Sequence, residues 1–99
     1  MSYVIFEIKS NEIGKINTIT KDDIVSRQSI LTRDSNSLNM KGDFTYLKIE
    51  GSQTGIKKAE EIAKDLKLKK LDNKKAKKIN DIIIEQEDSA ASGMGMIFD

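Results

Sequence analysis

The 99-residue chain has no cysteine, histidine, proline or tryptophan. Without cysteine there is no disulfide framework, thiolate nucleophile or cysteine zinc site. Without histidine there is no imidazole base, the group on which triad and most acid–base chemistry rests. Long apolar runs are also missing. The first, Tyr3–Phe6, has four residues, and Ile82–Ile84 is shorter. Both fall short of a signal-peptide core or a membrane span, so a soluble, cytoplasmic protein without membrane contact is expected. The absence of cysteine fits a reducing compartment.

The remaining candidates for chemistry are carboxylates, lysines and serines. Asp22-Asp23 and Glu60-Glu61 are adjacent pairs, and neighbours in a helix do not face each other. They suit caps and surface better than paired acid–base work. GSQTG (51–55) follows a strand-like stretch but lacks the length and the Lys-Ser/Thr end of a phosphate loop. No carboxylate spacing suggests a metal site. The expectation is a protein that is not an enzyme, with no catalytic residue, no metal and no cofactor.

Apolar residues make up 37% and charged residues 33%, with a formal net charge of +1. That balance favours a folded domain over a disordered chain. Val4, Phe6 and Ile8 alternate with Ile5, Glu7 and Lys9, which reads as a strand with one apolar face. Residues 10–26 are polar, and Thr20-Lys21-Asp22-Asp23 is a weak helix-capping signal. SILTRD (29–34) and FTYLKIEG (44–51) read as two strands joined by a turn at Asn39–Asp43. Leu47 and Ile49 share one face, and Phe44, Tyr46, Lys48 and Glu50 the other.

The period then lengthens. Ser52 or Thr54 can cap a helix with Ile56, Ala59, Ile62, Ala63 and Leu66 on one stripe. LKLKKLDN reads as a connector. A second helix starts near Asp72 or Asn73 and buries Ala76, Ile79, Ile82, Ile83 and Gln86. The expected fold is α+β: a two-layer sandwich of about three mostly antiparallel strands packed by two C-terminal helices. The compact domain is expected over 1–86, with a flexible acidic, Gly-Ala-Ser-rich tail over 87–99.

YLKIEGSQTGIKKAEEIAKDL resembles the last strand and helix of RNA-binding KH domains, with Ile56, Ala59 and Ala63 as the matching helix positions. The Gly-x-x-Gly loop that contacts nucleic acid in that family is missing here. A general packing solution explains the same pattern, because glycine permits the turn and alanine a close helix–sheet approach.

Charge is unevenly spread. From Lys57 to Lys78 there are ten lysines against four acids, and residues 79–99 hold five acids and no base. Lysines at the start of the second helix and acids toward its end oppose the helix dipole, at about 0.3–1 kcal/mol per charge at low salt. Helix stability therefore does not account for them. Three readings stand: a solvated surface, a store for the chain's own acidic tail, or a patch for RNA or another polyanion. The patch would comprise Lys67, Lys69, Lys70, Lys74, Lys75, Lys77 and Lys78. Lysine neutralises phosphate without reading bases, and aromatic stacking could come only from Phe44 and Tyr46.

EQEDSAASGMGMIFD resembles the C-terminal tail of archaeal and eukaryotic acidic ribosomal stalk proteins. The matching run is Gly93, Met94, Gly95, Met96, Ile97, Phe98 and Asp99. Its glycine spacing follows the archaeal form and its last aspartate the eukaryotic one. The resemblance implies an arm that docks Met94, Ile97 and Phe98 into a groove on a translation GTPase or another ribosome-associated factor. The helical dimerisation domain and long Ala-rich hinge of stalk proteins have no counterpart here. Other readings of the tail are a disordered end, folding back onto the sheet, or self-association. In general character the chain is also similar to small α+β proteins of methanogenic archaea, a likeness that implies no activity.

The resulting expectation is a small adaptor, monomeric or weakly dimeric, with a lysine face for RNA or the ribosome and a docking tail. The alternative is a self-associating structural protein whose tail completes the core or a dimer interface, with an exposed edge such as the first strand as the pairing site.

Overall fold

In the computed structural model, which describes residues 2–98 and the side chains of residues 2–87, strand β1 (Ser2–Lys9) is buried on both sides. Val4, Phe6 and Ile8 enter one core with Leu47 and Ile49, whereas Ile5 enters a second core with Tyr46. The one-faced reading of this strand is therefore corrected: Ile5 is as fully buried as Ile8. Successive side chains point to opposite faces, so a strand reading Val-Ile-Phe requires cover above and below.

That cover sets the architecture. The sheet has four strands in the order β2-β3-β1-β4, where β2 is Ser29–Asp34, β3 is Phe44–Gly51 and β4 is Lys69–Lys70. All its pairings are antiparallel. The α+β class and the antiparallel sheet are as expected. The two long helices, expected together in a two-layer sandwich, instead divide between the faces. Helix α2 (Gln53–Asp65) packs with the Val4–Phe6–Ile8 face, and α3 (Asn73–Phe98) covers Ile5 and Tyr46. Helix α1 (Gly14–Thr20) and a 3-10 turn at Val25–Arg27 add Ile19 and Val25 to the α2 side. The polar stretch 10–26 thus supplies two fully buried side chains. The Asp22 carboxylate caps the 3-10 turn by accepting from the Ile24 and Val25 amides at 2.9 and 3.1 Å.

Local signals explain the boundaries. The Ser52 hydroxyl accepts from the Gly55 amide at 3.1 Å and starts α2. The Asp72 carboxylate accepts from the Lys75 amide at 2.8 Å and starts α3. Ala76, Ile79 and Ile83 form the buried stripe of α3, with Ile82 beside it. The β2–β3 turn closes where expected: Ser35 donates its amide to Phe44 O at 2.8 Å and its hydroxyl to Gly42 O at 2.6 Å. The connector LKLKKLDN (66–73) is more ordered than its composition suggests. It carries β4, and its Leu71 is buried in the α3-side core. The expected tail, 87–99, lies outside the described side chains beyond Glu87.

Helix α2 ends in a paired-hydrogen-bond cap. Leu68 N donates to Ala63 O at 2.9 Å and Lys67 N to Lys64 O at 3.0 Å. This motif needs a left-handed residue, normally glycine, and Lys67 fills it at φ 59°. Lys67→Gly removes the penalty of holding a Cβ there, about 1 kcal/mol. The expected result is a higher urea midpoint with unchanged slope. A lower midpoint would show that the lysine side chain contributes more than its backbone strain costs.

Candidate polyanion-binding surface

GSQTG was the nearest sequence match to a phosphate or nucleic-acid loop, and the structure gives it a different task. Gly51 ends β3, and Gly55 lies in the first turn of α2. The Gln28 side chain lies against both, in the space a Cβ on either residue would need. Its carbonyl accepts from the Ser52 amide at 3.0 Å, and its amide donates to Ile24 O at 3.1 Å. The two glycines admit one glutamine that ties the 3-10 turn to the start of α2. Sequence reading missed Gln28, because nothing near residue 28 points to residues 51–55.

The seven candidate lysines are all exposed, but they occupy four settings. Lys69 and Lys70 are consecutive on β4 and leave opposite faces of the sheet. On the α3 side, Lys69 and Lys75 converge on Glu7 of β1, with Nζ to carboxylate distances of 3.9 and 3.3 Å. On the α2 side, Lys70 pairs with Glu60 at 3.4 Å. Lys77 pairs with Asp81 along α3 at 3.3 Å. Lys67, Lys74 and Lys78 pair with no acid among the described residues. Lys74 and Lys78 are four apart and share one exposed helix face. Asp72 caps α3, whose first turn contains no acid. The positive end of the helix dipole and its lysines therefore reinforce one another.

Glu7 organises the α3 side. Its side chain is only 9% exposed, so its charge needs partners. Besides the two lysines it accepts a 3.0 Å hydrogen bond from the Tyr46 hydroxyl. Burial, and then this bond and charge, push the Tyr46 phenol up to about 12. Neither Glu7 nor Tyr46 stood out in the sequence as a positioning residue. The strand register Glu7↔Tyr46 and Glu7↔Lys69 brings them together.

Comparison with protein families, with curated proteins and with solved structures finds no match. The reading of function therefore rests on this geometry.

Two further lysines join the surface. Lys57 and Lys64 of α2 stand with Lys70 around a groove of about 480 Å³ floored by Phe6, Ala63 and Leu68 and flanked by Glu60 and Glu61. Among the described residues no group of three or more acidic side chains could hold a metal ion, and no helix is long and apolar enough to cross a membrane. The docking motif Gly93–Asp99 falls outside the described side chains.

Two predictions follow from these contacts. In a double-mutant cycle, Gly55→Ala and Gln28→Ala are expected to couple by on the order of 1–2 kcal/mol, because the new Cβ displaces bonds that the second change has already removed. Additive chemical-denaturation energies would refute the contact. Raising the Tyr46 pKa from 10.0 to about 12 favours the neutral phenol in the fold. Its contribution is complete below pH 10 and is lost as pH rises from 10 to 12. Tyr46→Phe should reduce the alkaline loss of stability across that window. An identical pH profile would show that the phenol does not ionise differently on folding.

Proposed function

We propose that this chain is a non-enzymatic cytoplasmic binding protein whose β4–α3 end takes a polyanion, with RNA as the ligand class. The observation that carries this reading is the exposed cluster at the start of α3. There Lys74 and Lys78 stand without an acid partner among the described residues, next to Lys75, Lys77 and Lys69 and at the positive end of a helix dipole. Lysines in this setting neutralise backbone phosphates and carry no base code. Binding is therefore set by charge density and not by sequence. Lys67 and Lys70 extend the surface around the end of the sheet, and Lys57 and Lys64 continue it along α2.

A second element of the proposal rests on the stalk-like run Gly93–Asp99, which would dock a translation-related factor such as a translation GTPase through Met94, Ile97 and Phe98. Salt separates the two elements. Phosphate neutralisation weakens steeply as salt rises, whereas apolar docking does not.

The test is fluorescence anisotropy with a labelled single-stranded RNA across a salt series. Affinity should fall linearly on a log–log plot, and Lys74→Gln with Lys78→Gln should flatten the slope by about 0.7 for each phosphate contact removed. Unchanged affinity and slope in that variant would overturn the RNA reading and leave these lysines as solvated surface.

A further inference from the structure

Among the described residues strand β2 pairs with no strand but β3, and its other edge is open up to Asp34, whose carbonyl accepts from Leu38 N at 3.3 Å. Natural edges are usually blunted by proline, lysine, a bulge or a covering element. This strand, Ser29-Ile-Leu-Thr-Arg-Asp34, has no proline or lysine, carries its two charges, Arg33 and Asp34, together at its end, and pairs with β3 in an unbroken register. The expectation that β1 offers the free edge is corrected, since β1 lies between β3 and β4.

The outward groups on β2 can be assigned. Ser35 donates to Phe44 O, which turns the backbone groups of residues 29, 31 and 33 toward β3 and those of residues 30, 32 and 34 outward. The Thr32 carbonyl fits this assignment: in the single chain its partner is the side chain of Arg33, whose Nη1 donates to it at 2.9 Å, a bond that pairing through this edge exchanges for one from a backbone N–H of the second copy.

We propose that two copies of the chain pair antiparallel through β2, in a twofold register centred on Leu31, to form one continuous eight-stranded sheet. In this register Ile30 lies opposite Thr32 of the second copy, Leu31 opposite Leu31, and Ser29 opposite Arg33. A twofold axis perpendicular to the sheet keeps α3 of both copies on the same face, as odd-numbered positions opposite each other require.

Charge complementarity selects this register. Arg33 has no acid partner among the described residues. Ser29, Leu31, Glu50 and Glu87 line one small cavity of about 170 Å³ on the α3 side, together with Ile30 and Lys48; Lys48 Nζ lies 3.8 Å from the Glu50 carboxylate, so the two acids outnumber the one cation and Glu87 pairs with no cation among the described residues. Placed opposite the small Ser29, Arg33 of the second copy lies one strand spacing away, about 4.8 Å, and can extend across Ser29 toward Glu50 and Glu87. The symmetry makes this contact twice. Sliding the centre to Thr32 would instead set Arg33 against Leu31 and Asp34 against Ile30.

Sedimentation equilibrium on the full chain tests the proposal, with a reversible monomer–dimer equilibrium expected. Thr32→Pro removes an outward N–H that β3 does not use, so it should give a folded monomer by circular dichroism. Arg33→Glu should weaken the dimer by about tenfold or more, and adding Glu50→Lys with Glu87→Lys should restore it. Because the chain has no cysteine, single-cysteine variants report the register directly. Leu31→Cys should cross-link on oxidation, since a directly opposed pair meets disulfide geometry, and Asp34→Cys should not. A wild-type chain that stays monomeric at millimolar concentration would overturn the proposal. So would a dimer unaffected by Thr32→Pro, or cross-linking through Asp34→Cys alone. None of these readouts depends on polyanion binding.

Discussion

The two-sided burial of β1 is the constraint on which the rest of the fold depends. Val4, Phe6 and Ile8 require one layer of cover, and Ile5 requires another. In a chain this short, a single sheet has to carry both cores, and each helix becomes the lid of one. Removing α3 would expose Ile5 and Tyr46. Removing α2 would expose the three residues that alternate with them. The burial of Ile19 and Val25 follows from the same demand, because α2 alone is too narrow to close its side of the sheet and the α1 segment supplies the remaining apolar groups.

Polar chemistry on the α3 face depends on that arrangement. Glu7 is on the same side of β1 as Ile5, so it is drawn under α3 with the core. A carboxylate there must be met by donors, and the Tyr46 hydroxyl, Lys75 and Lys69 meet it. This explains part of the charge order along α3 that opposes its dipole: Lys75 answers a buried acid across the interface. Lys77 is accounted for by Asp81 one turn on. Lys74 and Lys78 have neither explanation, and for that reason the proposed polyanion surface centres on them.

Short-range regularities made much of the fold legible in the sequence. The β2–β3 hairpin, the Ser52 cap, the Asp72 start and the apolar stripes of both long helices all rest on spacings within a few residues. Long-range arrangements were hidden. The division of the helices between two faces was written in Ile5, but a four-residue apolar run is compatible with one-sided or two-sided burial until its neighbours are placed. Strand β4 has only two residues and no β-branched side chain, so no propensity marks it. Gln28 against Gly51 and Gly55, and Glu7 beneath Lys75, join positions far apart in sequence. The lysine cluster was visible as composition, but composition could not reveal that Lys69 and Lys70 leave opposite faces.

The topology also bears on how the two proposed surfaces relate. The lysine-rich end is at the β4 edge, and the open edge is β2, on the far side of the sheet. Pairing through β2 buries none of the seven lysines. It places the two β4 strands at the outer ends of an eight-stranded sheet, seven spacings or about 34 Å apart before twist. A short anion could then occupy only one end at a time, whereas a long flexible polyanion could reach both, and the second contact would be intramolecular once the first had formed. Dimerisation would thus raise avidity for long chains without altering a single lysine contact. Affinity that grows with polyanion length beyond one site, and stops growing when the β2 edge is blocked, is the behaviour this geometry dictates.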